Sequence, residues 1–248
     1  MVGSAGRQVF QRVTERLRDE GRVDLIIANA ENGAGGRGPS PEIAEAVLNA
    51  GAAAITLGDH TFDDKRLIPL LETEPRIVRP ANMPPDAAGR GMTTIDTDEG
   101  PICIISLIGR VFMNPMDCPF RTADKLLNLV KTKTIFVDFH AEATSEKIAL
   151  GRYLDGRVTG LFGTHTHVQT SDEAILPNGT AYITDLGMTG PKDSVIGREV
   201  EPVVRRFITG MPQKFDVSKK DPALEGVIVD VDLSTGKARS IERVRERA

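Results

Sequence analysis

The chain has 248 residues, 27% of them charged, and a formal net charge of -4; that is enough polypeptide to bury one large core. So mild an acidic balance leaves no basic stripe for a nucleic-acid duplex. The absence of tryptophan, with only 4% aromatic residues, argues against stacking platforms for single strands. No apolar run is long enough to span a bilayer and the N-terminus lacks the charged and apolar regions of a signal peptide, so a cytoplasmic protein is expected. Cys103 and Cys118 have no C-x-x-C spacing and are expected to be reduced thiols there.

Taken in chain order, the pattern predicts a single α/β domain over residues 1–248. Arg7 to Glu20 places Val9, Phe10, Val13 and Leu17 on one helical face, with Gly21 as the stop. Met1 to Arg7 reads as the loop between a strand and that helix, yet no strand precedes it. Val23 to Ala28, broken only by Asp24, predicts a strand buried on both faces that delivers Asn29, Glu31 and Asn32. Beyond the glycine-rich Gly33 to Gly38, Ser40-Pro41 opens a helix that runs to Asn49. Ala53 to Leu57 predicts a second strand, ending in Gly58-Asp59-His60. This alternation is the rhythm of a sheet whose ligand groups collect at the carboxyl ends of strands.

Lys65 to Gly91 reads as irregular apart from a short helix, Leu67 to Glu72. Met92 to Ile95 and Ile102 to Ile108 predict a hairpin, and the apolar loop Gly109 to Phe120 either covers a site or packs into the core. Lys125 to Lys131 predicts a helix, Thr134 to Phe139 a strand delivering His140, and Thr144 the cap of a helix to about Leu154. Val158 to Phe162 predicts the strand that carries Gly163-Thr164-His165-Thr166-His167. Asn178-Gly179 turns between Ala174 to Leu176 and Ala181 to Thr184. Val203 to Ile208 is a short helix, and Val227 to Leu233 with Ser240 to Val244 form a closing hairpin around Ser234-Thr235-Gly236.

All four histidines follow apolar runs. Two of them, His165 and His167, are two residues apart, which on a strand sends both imidazoles to one side. A lone histidine in such a place is more often a core residue. Four in equivalent positions, beside Glu31, Asn32 and Asp59, point to metal. Mixed carboxylate and imidazole donors suit iron, manganese or zinc, and the set is too large for one tetrahedral ion. Two ions roughly 3.5 to 4 Å apart, sharing a carboxylate, lower the pKa of a shared water and clamp a phosphoryl group. Glu31 is expected to bridge, with Asp59, His140 and His165 on one ion and His167 and Asn32 on the other. Glu142, Asp138 and Asp185 are candidates to orient imidazoles, with solvated or capping roles as the alternative. Arg79 and Arg110 are candidates for substrate phosphate, with ordinary ion pairing as the alternative.

Gly6-Arg7, Asn29-Ala30-Glu31-Asn32, Gly58-Asp59-His60-Thr61-Phe62-Asp63 and Arg79-Pro80-Ala81-Asn82 form a run of motifs. Asp117-Cys118-Pro119-Phe120, His140 to Lys147, Gly163 to Gln169 and Asp185 to Pro191 continue it. Over essentially the whole chain these resemble the YmdB-type branch of the calcineurin-like metallophosphoesterases. The resemblance implies a four-layer α/β/β/α metallophosphoesterase sandwich with a dinuclear centre of iron, manganese or zinc. It implies hydrolysis of 2′,3′-cyclic nucleotides to 3′-nucleotides by a metal-bridging hydroxide. It also gives His60, the match to the family's Gly-Asn-His motif, the role of general acid, which an imidazolium suits near neutral pH. The expected partner is a small cyclic nucleotide, not duplex nucleic acid or a membrane; a homo-oligomer is left open. A phosphomonoesterase or protein phosphatase on the same metals is one rival reading, and a regulatory nucleotide-binding protein that has lost turnover is another.

Two departures from the family pattern carry expectations of their own. Asp59 stands where the motif has asparagine, so an anionic ligand replaces a neutral one and turnover or metal preference should shift. In the family a strand ending in Gly-Asp precedes the Gly-x-x-Gly-Arg loop, whereas Met1 falls just after the place of that aspartate. An upstream start is therefore expected to supply the strand and its ligand; without them, metal binding should be weak or mononuclear.

Overall fold

The structure, a computed structural model, describes residues 1–247. Helix α1 (Gly3–Asp19) buries Val9, Phe10, Val13 and Leu17, the face that the periodicity predicts. It begins before Arg7 because Val2 is held on both sides. The Val2 N–H donates to the Thr189 carbonyl, and Val2 forms a parallel bridge with Asn32, so residues read as a loop become the first turn. Strand β1 (Ile27–Asn29) is shorter than predicted because its ladder with the next strand starts only at Ile27. Helix α2 (Pro41–Asn49) follows Ser40, whose side chain accepts the Ile43 N–H. Strand β2 (Ala54–Thr56), a 3₁₀ turn at Lys65–Leu67, helix α3 (Ile68–Thr73) and strand β3 (Ile77–Val78) complete a parallel sheet ordered β1-β2-β3.

Strands β4 (Met92–Thr97) and β5 (Gly100–Ile108) form the predicted hairpin. Helix α4 (Pro119–Leu127) starts earlier than Lys125 because Pro119 occupies the first turn directly after Cys118. Strand β6 (Thr134–His140) leads to helix α5 (Thr144–Leu154), in which Thr144 is the first residue and not the cap. Strands β7 (Gly160–Thr164), β8 (Ala174–Ile175) and β9 (Ala181–Ile183) finish a six-stranded sheet ordered β4-β5-β6-β7-β9-β8, with β5, β6, β7 and β9 parallel. Strand β10 (Gly190–Pro191), helix α6 (Val200–Thr209) and strands β11 (Pro222–Asp232) and β12 (Lys237–Arg247) follow; the three strands form an antiparallel sheet.

Val13, Val47, Leu71 and Ile55 pack α1, α2 and α3 onto the first sheet, and Leu224 and Val244 bring β11 and β12 into the same core. Leu107, Val137, Leu161 and Leu150 pack the six-stranded sheet against its own helices, while Ala54, Val78 and Ile104 meet between the two sheets. The carboxyl ends of β1, β2, β6 and β7 thereby come to one rim. Strand β10 covers only the first two residues of β11, and among the described residues β1 has a strand partner on one side only. Between those facing edges runs a cavity of about 1020 Å³, lined by Ile27, Ala28, Phe136 and Ile228 among others. At its rim the Met1 amine donates to the Asn29 carbonyl at 2.9 Å, and burial lowers that amine's pKa to about 6.

Among the described residues no helix is long and apolar enough to cross a membrane. Cys103 and Cys118 are both free, and burial pushes the Cys103 thiol up to about 11.

Candidate metal centre

Gly58 is what lets the strand ends close on one another. A Cβ there would stand 2.5 Å from both Glu31 Oε2 and the His140 ring, so any side chain would prise them apart. His140 Nε2 lies 2.8 Å from Glu31 Oε2, 2.9 Å from Asp59 Oδ1 and 3.0 Å from His165 Nδ1. One nitrogen thus faces three acceptors, and a single proton can serve only one of them well. The approach to Glu31 is poorly directed, so Oε2 of this fully buried carboxylate has no hydrogen-bond partner among the described residues. An orphaned anionic oxygen is costly inside a protein. A divalent cation seated among these donors relieves it, and their chemistry fits such an ion.

The electrostatics agree. Burial alone would lower the His140 pKa, but the Glu31 and Asp59 carboxylates reverse this and raise it to about 10. For Asp59, burial raises the pKa, and its contacts with His140 and Glu31 outweigh that and hold the carboxyl well below the usual range. Without a metal, an imidazolium is the cation that this acidic pocket recruits.

Each imidazole has its tautomer set from outside. His140 Nδ1 lies 3.0 Å from Thr164 Oγ1, which donates in turn to Asp138 Oδ1 at 2.7 Å. His165 Nε2 faces Glu142 Oε2 at 3.1 Å, and His167 Nδ1 faces the Ile196 carbonyl at 3.2 Å. With the outer nitrogen engaged, the inner nitrogen of each ring is left facing the centre. Burial lowers the pKa of His165, and burial with the nearby N-terminal amine lowers that of His167 to about 4; both rings are neutral, the form that binds metal. Strand alternation is not what aims them. Strand β7 ends at Thr164, and His165 and His167 lie beyond it with φ of 107° and 64°.

Ligand atoms of Asp59, His140 and His165 lie within 4.8 Å of one another, as do those of Glu31, Asp59 and His60. Asp59 is common to both groups, whereas the sequence pattern alone assigns the bridging place to Glu31. Glu31 still touches both, since its Oε1 accepts the His60 N–H at 2.9 Å. Asn32 Nδ2 lies 3.3 Å from His167 Nε2, a separate pair on the same rim. His60 Nδ1 lies 2.9 Å from Asp63 Oδ2, and both side chains reach solvent.

The softer candidates divide. Asp138 acts on His140 through Thr164, and Glu142 touches His165 directly. Asp185 touches Thr166 and no imidazole. Arg79 is buried and donates to the carbonyls of Pro80, Ala87 and Ala88; it staples a loop instead of meeting phosphate. Arg110 is exposed, with its backbone N–H on Glu146. Sequence reasoning missed Thr164 and Asp63. The i, i+3 spacing of Asp63 from His60 was a usable signal, but a threonine relay leaves none.

A family model described as YmdB-like protein matches residues 1–244. A 2′,3′-cyclic-nucleotide 2′-phosphodiesterase of Bacillus subtilis (strain 168) is 45% identical over 246 residues, covering 98% of this chain and 93% of its own. The crystal structure of a hypothetical protein from Thermus thermophilus matches with a TM-score of 0.94 and 39% identity, over 99% of this chain and 96% of that one. That of a novel phosphatase from Mycoplasma pneumoniae gives 0.93 and 37%, over 99% and 90%. A family match that runs almost from end to end, with relatives aligned along the same length, leads to one conclusion: this chain belongs to the YmdB-like family.

Proposed function

We propose that the protein is a metal-dependent phosphodiesterase that opens 2′,3′-cyclic nucleotides to 3′-nucleotides. The observation that carries this reading is the orphaned Glu31 Oε2 beside His140 Nε2 and His165 Nδ1. The substrate class comes from the Bacillus relative. Glu31, Asn32, Asp59, His140, His165 and His167 hold two metal ions in this reading, iron or manganese first and zinc as the other metal the donors suit. When bound, such ions polarise a phosphoryl oxygen and make a water nucleophilic at neutral pH.

The chain's own residues do the rest. Asp138, Thr164 and Glu142 keep His140 and His165 in their ligating tautomers. His60 is the general acid. Asp63 accepts a hydrogen bond from its Nδ1, which orients the ring so that Nε2 can pass a proton to the departing 2′ oxygen as its bond to phosphorus breaks. The two free thiols fit a reducing cytoplasm.

The sheets, each with helices on its outer side, support a four-layer α/β/β/α sandwich.

Three measurements test this reading. On a substrate panel, 2′,3′-cyclic AMP should be preferred to p-nitrophenyl phosphate and phosphopeptides, with 3′-AMP as product; His60→Ala should lower kcat by about 10²–10⁴-fold with metal content retained. A preference for monoesters, or parental rate in His60→Ala, contradicts it. Titration with Mn²⁺ should stabilise the protein by about 2.7 kcal/mol at a hundredfold excess over Kd. No shift in stability on adding Mn²⁺ contradicts it. Finally, Asp59→Asn should change either turnover or the preferred metal, and an unaltered rate and metal content would show that the added charge is inert.

A further inference from the structure

The turn that presents His165 and His167 is strained. Both residues have φ in the left-handed region, at 107° and 64°, which a side chain with a Cβ adopts only when its surroundings impose it. Thr166, between them, sends both its N–H (3.1 Å) and its Oγ1–H (2.8 Å) to Asp185 Oδ2. The same oxygen accepts from Lys147 Nζ at 2.8 Å, and Oδ1 accepts the Gly187 N–H at 2.9 Å. The Lys147 and Asp185 side chains are 1% and 0% exposed. The far end of the turn is closed by the same residue, because Thr170 and Asp185 exchange hydrogen bonds through Thr170 Oγ1 and the Asp185 carbonyl. Room for the lysine stem exists only because residue 163 is glycine, whose Cβ would lie 2.9 Å from Lys147 Cδ and run into the Thr184 carbonyl oxygen.

A buried ion pair is a poor device for stability alone, since an apolar pair of equal volume often does as well. Here its carboxylate gathers four donors, which asparagine with one acceptor oxygen cannot match. From this we propose that the Lys147–Asp185 pair is a positioning clamp that holds the strained turn and so aims His165 and His167. Neither residue touches an imidazole; the clamp acts through Thr166. The inference rests on the metal-centre reading above, and names residues outside the ligand set.

The test compares the parent with Asp185→Asn, Thr166→Val and, as a core control at the opposite end of α5 from Lys147, Leu154→Ala. For each, the Mn²⁺ dissociation constant is read by competition with a chelating dye and the metal-free unfolding midpoint by circular dichroism. Asp185→Asn should weaken Mn²⁺ binding by about 10–100-fold, and more than Leu154→Ala does at an equal or larger fall in midpoint. Parental affinity in Asp185→Asn, or an equal loss in Leu154→Ala, overturns the clamp. Should Asp185→Asn not fold, Thr166→Val decides, with weaker binding supporting the clamp and unchanged binding overturning it. If the parent binds no Mn²⁺, the metal-centre reading fails. The clamp is then judged on hydrogen exchange of the Thr166 amide, slow in the parent and faster in Asp185→Asn if it holds, equal in both if it does not.

Discussion

A fully buried carboxylate oxygen, Glu31 Oε2, faces the one nitrogen of His140 that is also claimed by Asp59 and His165. No assignment of protons satisfies all four groups. The rest of the site is arranged to make this crowding unavoidable. Gly58 removes the side chain that would separate the groups, and each of the three imidazoles has its outer nitrogen engaged so that the inner nitrogen stays inward. A fold that tolerates such an arrangement without a cation carries a deficit, and one that holds a cation does not.

The geometry depends on joining two sheets. Asp138, on β6, accepts from Asn29 on β1, from Thr56 on β2 and from Thr164 at the end of β7. One carboxylate thereby couples the register of both sheets to the ring orientation of His140. Such coupling explains how side chains from Glu31 to His167, far apart in sequence, reach a common rim. The same rim is built from the carboxyl ends of parallel strands, where loops are free to carry polar side chains.

Much of this is legible in the residues themselves. The face of α1, the hairpin β4–β5 and the strands that deliver Asp59, His140 and His165 follow from periodicity, because each buries a repeating apolar set. What sequence reasoning misses is fixed from a distance. The early start of α1 depends on Thr189 and Asn32 holding Val2, and β3 and β10, at two residues each, are too short to show any period. His165 and His167 come to the rim, but not by the strand alternation expected of them. They leave the strand before they point inward, and their aim comes from a turn held by Lys147 and Asp185, which local pattern cannot reveal.

The central claim is that a cation belongs among Glu31, Asp59, His140 and His165. Anomalous diffraction from crystals grown with Mn²⁺ addresses it most directly. The account predicts at least one strong peak within bonding distance of His140 Nε2 and a Glu31 carboxylate oxygen, with His165 Nδ1 and Asp59 turned toward it. A rim without any anomalous signal, where an ordered water satisfies Glu31 Oε2 and the imidazoles keep their mutual contacts, would contradict it.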